Sequence, residues 1–369
     1  MPSAQPQRSF FSYARVQMSK SQPVNADQST GAETDRRFDP AEWRGIIARY
    51  TGPDTLRSLR QVVVTLTLLI GGVVLGYWLM SRAPWATALL ILPLAGLLIR
   101  TFVIMHDCAH GSFLPWPRVN DAIGFVTGVL TFTPFNQWRR EHALHHASSG
   151  DLDRRGVGDV STLTVAEYRA LSRWGRFKYR LYRHPFVLFG VGPLHMMILQ
   201  RFRMPSLATG KRQLTSVWLT NIALAGLVAI GIMGFGWKAV FLLYVPAYYV
   251  AAAGGIWLFY VQHQFEEAYW ERGRSWDYAT AAITGSSHLR MPGVLHWFTG
   301  HIGLHHVHHL GPRIPNYRLQ AAHEENEIFH AAPELTLWAA LKTLRLTLFD
   351  EASGRMIGFR EFRRLPQVG

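Results

Sequence analysis

Four apolar stretches, at 61–80, 85–105, 216–235 and 238–261, restrict this chain more than any other feature. As helices, each is long enough to cross a hydrocarbon layer of about 30 Å. Only residues 81–84 separate the first two, and only 236–237 the last two. Gaps this short predict two antiparallel helical hairpins with their turns on one side of a membrane. Arg82 and Lys238 are the basic residues beside those turns. The opposite side carries many more, including Arg57, Arg60, Arg139, Arg140, Arg154 and Arg155. By the positive-inside rule, both termini and all the long segments are expected in the cytoplasm. The net charge of +14 is concentrated between the apolar stretches, so lipid headgroups rather than nucleic acid are the expected partner. The stretches at 121–135 and 185–199 are too short or too polar to span and read as interfacial helices. Residues 1–40 are polar and contain no apolar run. They are expected to be disordered rather than a secretory signal, with one domain over 41–369.

The hairpins also decide where the histidines go. HDCAH occupies 106–110, HALHH 142–146 and HHVHH 305–309. With 17 histidines in 369 residues, chance supplies about 0.04 matches to His-x-x-His-His, and the chain has two. An even number of crossings between clusters places all three on one face of the membrane. Helix positions i, i+3 and i+4 share a face. His106 with His110, then His142, His145 and His146, then His305, His308 and His309 are therefore expected to converge. His306 projects away from them. Buried neutral imidazoles gathered without a metal would leave ring nitrogens competing for partners, and protonating them would set like charges together. Eight donors exceed what one ion takes, whereas two ions with about four or five each fit. His263, closing the fourth stretch, is a ninth candidate. Imidazole suits iron, zinc, copper and nickel, so spacing does not choose among them.

Cys108 is the only cysteine, which excludes a disulfide framework and thiolate-rich metal sites. Asp107 and Glu141 adjoin candidate ligands and are expected to orient them from behind. Asp151, Asp153, Asp159, Glu266 and Glu267 read as solvated or paired with arginine. His184, His195, His288, His296, His323 and His330 read as ordinary hydrogen-bonded residues.

The three boxes resemble those of the integral membrane fatty acid desaturases in order, spacing and relation to the hairpins. The stretches HHASSGDLDRRGVGDVSTLT, WLFYVQHQFEEAYW and WFTGHIGLHHVHHLGPRIPNY are similar to the delta-12 (omega-6) acyl-lipid branch. The resemblance implies an all-α membrane fold, with four transmembrane helices under a cytosolic helical cap that holds a di-metal site. It implies two iron ions, O2 as co-substrate, and removal of two hydrogens from a fatty acyl chain or acyl lipid to leave a cis double bond. It implies His106, His110, His142, His145, His146, His305, His308 and His309 as ligands, and His263 matches an extra histidine of the family. No catalytic group beyond the ligands is expected. His301 stands where relatives of this branch often have Asn, and enters as a possible additional ligand. The chain has no dinucleotide fingerprint, cysteine cluster or haem module. Electrons are therefore expected from a separate acidic carrier such as ferredoxin, docked on the basic face of a protein in the bacterial inner membrane. The same metal pair also serves hydroxylation of an alkane, fatty acid or carotenoid. Box spacing does not separate the two chemistries, and the flanking stretches favour desaturation.

Overall fold

The computed structural model describes residues 38–156, 158–198 and 210–366. The disorder expected of the N-terminal segment falls on 1–37, outside the described residues. Helix α1 (Pro40–Tyr50) starts where the Asp39 carboxylate accepts from the Ala41 N–H, and α2 (Thr55–Met80) starts under Asp54 in the same way. Both carboxylates satisfy a backbone donor that the first turn leaves open. Helix α3 (Pro84–His110) ends at Gly111, whose φ of 66° an L side chain would resist. That stop leaves His106 and His110 on the last turns of a long apolar helix. Helices α4 (Pro117–Leu130) and α5 (Phe135–Ser148) follow. A capping box of Thr164 and Glu167 opens α6 (Val165–Ala170). Then come α7 (Arg173–Tyr182) and α8 (Gly192–Met197). Helix α9 (Lys211–Ala239) continues through a π turn into α10 (Val245–His263).

Among the described residues three helical runs are long and apolar enough to cross a membrane: Thr55–Met80, Pro84–His110 and Lys211–His263. The last, 53 residues long, is not straight. Gly236 has φ 79° and ψ 159°, outside the helical region. The Ser216 hydroxyl in α9 accepts from the Asn136 N–H at the start of α5, at 3.0 Å. His263, at the far end of the run, meets His145 of the same α5 at 3.2 Å. A straight helix would hold Ser216 and His263 about 70 Å apart, so the chain reverses at the glycine. Helix α3 lies at the centre, packed on α2, α4 and α10. Leu94 and Leu98 of α3 share a buried core with Leu243, Ala247 and Ala251.

After α10 in sequence come α11 (Tyr278–Thr284), α12 (Gly293–Phe298), α13 (His305–Leu310) and α14 (Leu319–Glu324). Among the described residues there are also five short strands: β1 (Leu163–Thr164), β2 (His288–Arg290), β3 (Glu334–Thr336), β4 (Leu346–Asp350) and β5 (Arg355–Gly358). They form one sheet of order β1-β4-β5 and a parallel β2-β3 pair. The fold is thus mostly helical, which corrects the all-α expectation. Strands of two to five residues are too short for an alternating pattern to declare itself. Pairings such as Leu163 with Leu348 join segments far apart in sequence.

The two stretches expected to lie at the interface also differ in detail. The first is α4, drawn back to Pro117 because proline suits a first helical position. It buries Gly124, Thr127 and Gly128 and exposes Val119 and Val126. The second is a π turn, Val187–Val191, followed by α8. Its end at 199 lies outside the described residues.

Candidate metal centre

Nine imidazoles from four helices meet at one end of the long helices. They form two groups, in each of which one ligand atom per residue lies within 4.8 Å of the others. The first holds His106 and His110 of α3, His142 and His146 of α5, and His308 of α13. The second holds His145 of α5, His263 of α10, and His305 and His309 of α13. The groups touch: the rings of His146 and His309 stack at 4.2 Å. Boxes two and three are each divided between the groups. Helical residues turn by about 100° each, so i and i+4 differ by about 40°, while i+3 and i+4 differ by about 100°. His142 and His146 therefore aim together, and His145 aims elsewhere. In α13, His305 and His309 pair in the same way and His308 diverges.

The ring nitrogens face one another as ligands of a shared cation do. In the first group His146 Nε2 lies 3.1 Å from His142 Nε2 and 3.0 Å from His308 Nε2. In the second, His263 Nε2 lies 3.2 Å from His145 Nε2 and 2.9 Å from His305 Nε2. His309 Nε2 is 3.1 Å from His305 Nε2. Two nitrogens about 2.1 Å from one ion, at right or tetrahedral angles, stand about 3.0–3.4 Å apart.

His145 Nδ1 donates to the Asp159 carboxylate, and His263 Nδ1 donates to the Gly285 carbonyl at 3.3 Å. A neutral imidazole carries one N–H. Both Nε2 atoms therefore present bare lone pairs to each other, a repulsive contact unless a cation lies between them. His106 Nε2 and His110 Nε2 are buried with no hydrogen-bond partner. Burial first, and then the neighbouring imidazoles, hold His142, His146, His305, His308 and His309 well below the usual imidazole pKa. These rings are neutral at neutral pH, the form that binds a metal. The residues present fit two metal ions held by nitrogen alone.

Asp107 and Asp159 stand behind two of the rings, on His106 and His145. Asp107 Oδ1 lies 3.2 Å from His106 Nδ1. Its Oδ2 accepts from the Asn316 backbone N–H and side-chain Nδ2, both at 2.8 Å. Asn316 Oδ1 in turn accepts from Gln61 Nε2 at 3.1 Å. Glu141 accepts from Gln137 Nε2 at 3.3 Å. Asp159 was expected to be solvated or arginine-paired, and the structure instead sets it against His145. The preceding residue explains this. Gly158 has φ 72°, and a Cβ there would come within 3.1 Å of the Glu141 carbonyl and 3.2 Å of His145 Cβ. A glycine immediately before an aspartate was the available signal. Asp159→Asn, which keeps the size and loses the charge, is expected to weaken metal affinity about 10–100-fold. Equilibrium dialysis measures this, and unchanged affinity counts against the orienting role.

The structure brings His301 into neither group. It follows Gly300 in a tight turn with φ 58°, and its ring stacks on His296 at 5.4 Å. Left-handed backbone is adopted by Asn, Asp and His more readily than by other side chains, so the turn itself accounts for the residue type. His306, expected to point away, does so and is fully buried. Aromatic walls close the site. Trp138 stacks on His142 at 4.3 Å, and Phe259 lies 5.0 Å from His145 and 5.3 Å from His263.

Residues 83–338 match the family model described as fatty acid desaturase. The chain belongs to the fatty acid desaturase family. A relative named fatty acid desaturase, from Bacillus subtilis (strain 168), is 40% identical over 320 residues, covering 87% of this chain and 91% of the relative. An sn-1 acyl-lipid omega-3 desaturase (ferredoxin) from Nostoc sp. (strain 36) is 29% identical over 262 residues, 65% of this chain and 68% of the relative. A chloroplastic omega-6 fatty acid desaturase from Arabidopsis thaliana is 27% identical over 290 residues, 73% of this chain and 59% of the relative. These relatives support the branch that the motif-flanking stretches resemble. Desaturases are oxidoreductases, and this family member carries membrane-length helices and histidine groups able to hold metal.

Proposed function

We propose that this chain introduces a cis double bond into a fatty acyl chain of a membrane lipid, at a delta-12-like position, in an O2-dependent reaction at a di-iron centre. The observation that carries the proposal is the lone-pair contact between His145 Nε2 and His263 Nε2 at 3.2 Å, inside a nine-imidazole cluster without a carboxylate ligand. Bound there, two iron ions supply the oxygen chemistry that imidazole and carboxylate lack. The protein's own part is positional. Asp107 and Asp159 keep protons on Nδ1 of His106 and His145, so the other ring nitrogens stay free to bind. Trp138 and Phe259 shield the cluster from water. His106, His110, His142, His146 and His308 hold one ion, and His145, His263, His305 and His309 the other.

In this reading the reversal at Gly236 makes four membrane crossings of the three apolar runs. The histidine end and both termini face the cytoplasm of a bacterial cell, and residues 41–369 act as one domain. Electrons come from an external acidic carrier, as the ferredoxin in the name of the Nostoc relative suggests, drawn by the basic face. Expression in a host whose lipids contain only saturated and monounsaturated chains tests the reading, followed by mass spectrometry. The expected product has lost two hydrogens. A product that has gained one oxygen would favour hydroxylation, and an unchanged profile with iron and ferredoxin supplied would refute both.

A further inference from the structure

A second set of ligand-type side chains stands on the far side of α13. His306 turns its ring away from the nine-imidazole cluster, and its Nε2 lies 3.1 Å from His323 Nδ1. The His323 ring, on α14, meets the His288 ring, on β2, edge-on at 4.6 Å. His288 Nδ1 in turn lies 3.2 Å from Glu334 Oε1, on β3. Strands β2 and β3 run parallel with His288 in register with Glu334, which sets the two side chains on one face of the ribbon. One donor atom from each of His288, His323 and Glu334 lies within 4.8 Å of the other two. None of these three belongs to the nine-imidazole cluster.

We propose that His288, His323 and Glu334 form a third metal site, for one divalent cation of the zinc class, with water completing its coordination. Two imidazoles and a carboxylate with an open fourth position are a donor set that zinc accepts. The Glu334 side chain is 52% exposed and that of His288 12%, so an ion can enter and a water can remain. His306 backs His323 with a ring–ring hydrogen bond, the kind of outer contact that fixes a ligand imidazole. A simple His–Glu ion pair would need His288 alone. It gives no reason for a second imidazole packed edge-on against the first and braced from behind by a third. Glu334 also meets Arg290 Nη1 at 3.5 Å, an exposed pair whose loss costs little. A bound ion would tie β2, β3 and α14 together. Through His306 it would brace the helix whose opposite face carries His305, His308 and His309.

The test uses the full chain in detergent, first saturated with iron(II), then equilibrated with zinc(II) and counted by elemental analysis. Wild type is compared with E334Q, which alters an exposed side chain, and with H323Q. Wild type is expected to take up one more zinc per chain than H323Q. E334Q should bind that zinc at least about tenfold more weakly, with iron per chain equal in all three. Zinc is also expected to raise the Tm of wild type and leave that of H323Q unchanged. Equal zinc affinity in wild type and E334Q across a zinc titration would overturn the proposal, even if H323Q fails to fold. So would zinc uptake matched by iron loss. Because zinc is counted as a difference between variants, failure here would leave the desaturase reading untouched, and failure of that reading would leave this site standing.

Discussion

His145→Ala is expected to abolish product formation and to remove one of the two metal ions proposed above. His145 is the sole contribution of α5 to the four-imidazole group, and its Nε2 faces His263 Nε2 at 3.2 Å. Alanine leaves three donors on that ion and strands the Asp159 carboxylate without the ring that it orients. Losing a partner that merely orients a ligand costs about 10–100-fold, so losing the ligand should exceed the upper end of that range. Product analysis and iron per chain measure the two effects together. His330→Ala is the comparison. That ring lies outside both groups, with its Nε2 on the His323 carbonyl, and activity should persist. Equal loss in both variants would mean that general misfolding, not ligation, governs the outcome.

The metal-free protein should lose stability steeply in acid. His142, His146, His305, His308 and His309 are all held well below the ordinary imidazole pKa, chiefly by burial and then by one another. The unfolded chain takes up protons on these residues below about pH 6.5, while the folded chain keeps them neutral. The unfolded state then binds more protons, so stability is fully present above about pH 6.5 and falls as pH drops. Each ring contributes up to about 1.4 kcal/mol per pH unit. Five rings set a ceiling of about 7 kcal/mol per unit, on the scale of a whole domain's net stability of about 5–15 kcal/mol. The Tm of protein stripped of metal should be level above about pH 6.5 and fall sharply below it. Bound iron, which favours the same neutral rings, should shift the fall to lower pH. A flat Tm from about pH 7 to about pH 5 would show that these rings are not buried neutral.

The long elements were the most legible. Apolar composition located α2 and α3 at 61–80 and 85–105, and the structure extends them to Thr55–Met80 and Pro84–His110, where Asp54 and Gly111 supply the start and the stop. The short strands could not be. Their pairing depends on partners such as His288 and Glu334, which are remote in sequence. The carboxylates show the same divide. Asp107 was legible because it abuts His106, whereas Asp159 reaches His145 across a glycine-opened loop that adjacency does not reveal. His301 shows the converse case, a residue that lies in neither histidine group. Its left-handed backbone, with φ 58°, is a conformation that both His and the Asn of relatives adopt.

By itself, the sequence singled out nine histidines as candidate ligands and left imidazole and oxygen as the donors a metal could use. Periodicity within a helix and the presence of a single cysteine can both be read from the chain itself. Only the tertiary structure decided how the nine divide. His145 parts from its neighbour His146, and His308 from His309, because a helical residue aims about 100° away from the next. Which of those directions finds a partner depends on where α3, α10 and α13 come to rest.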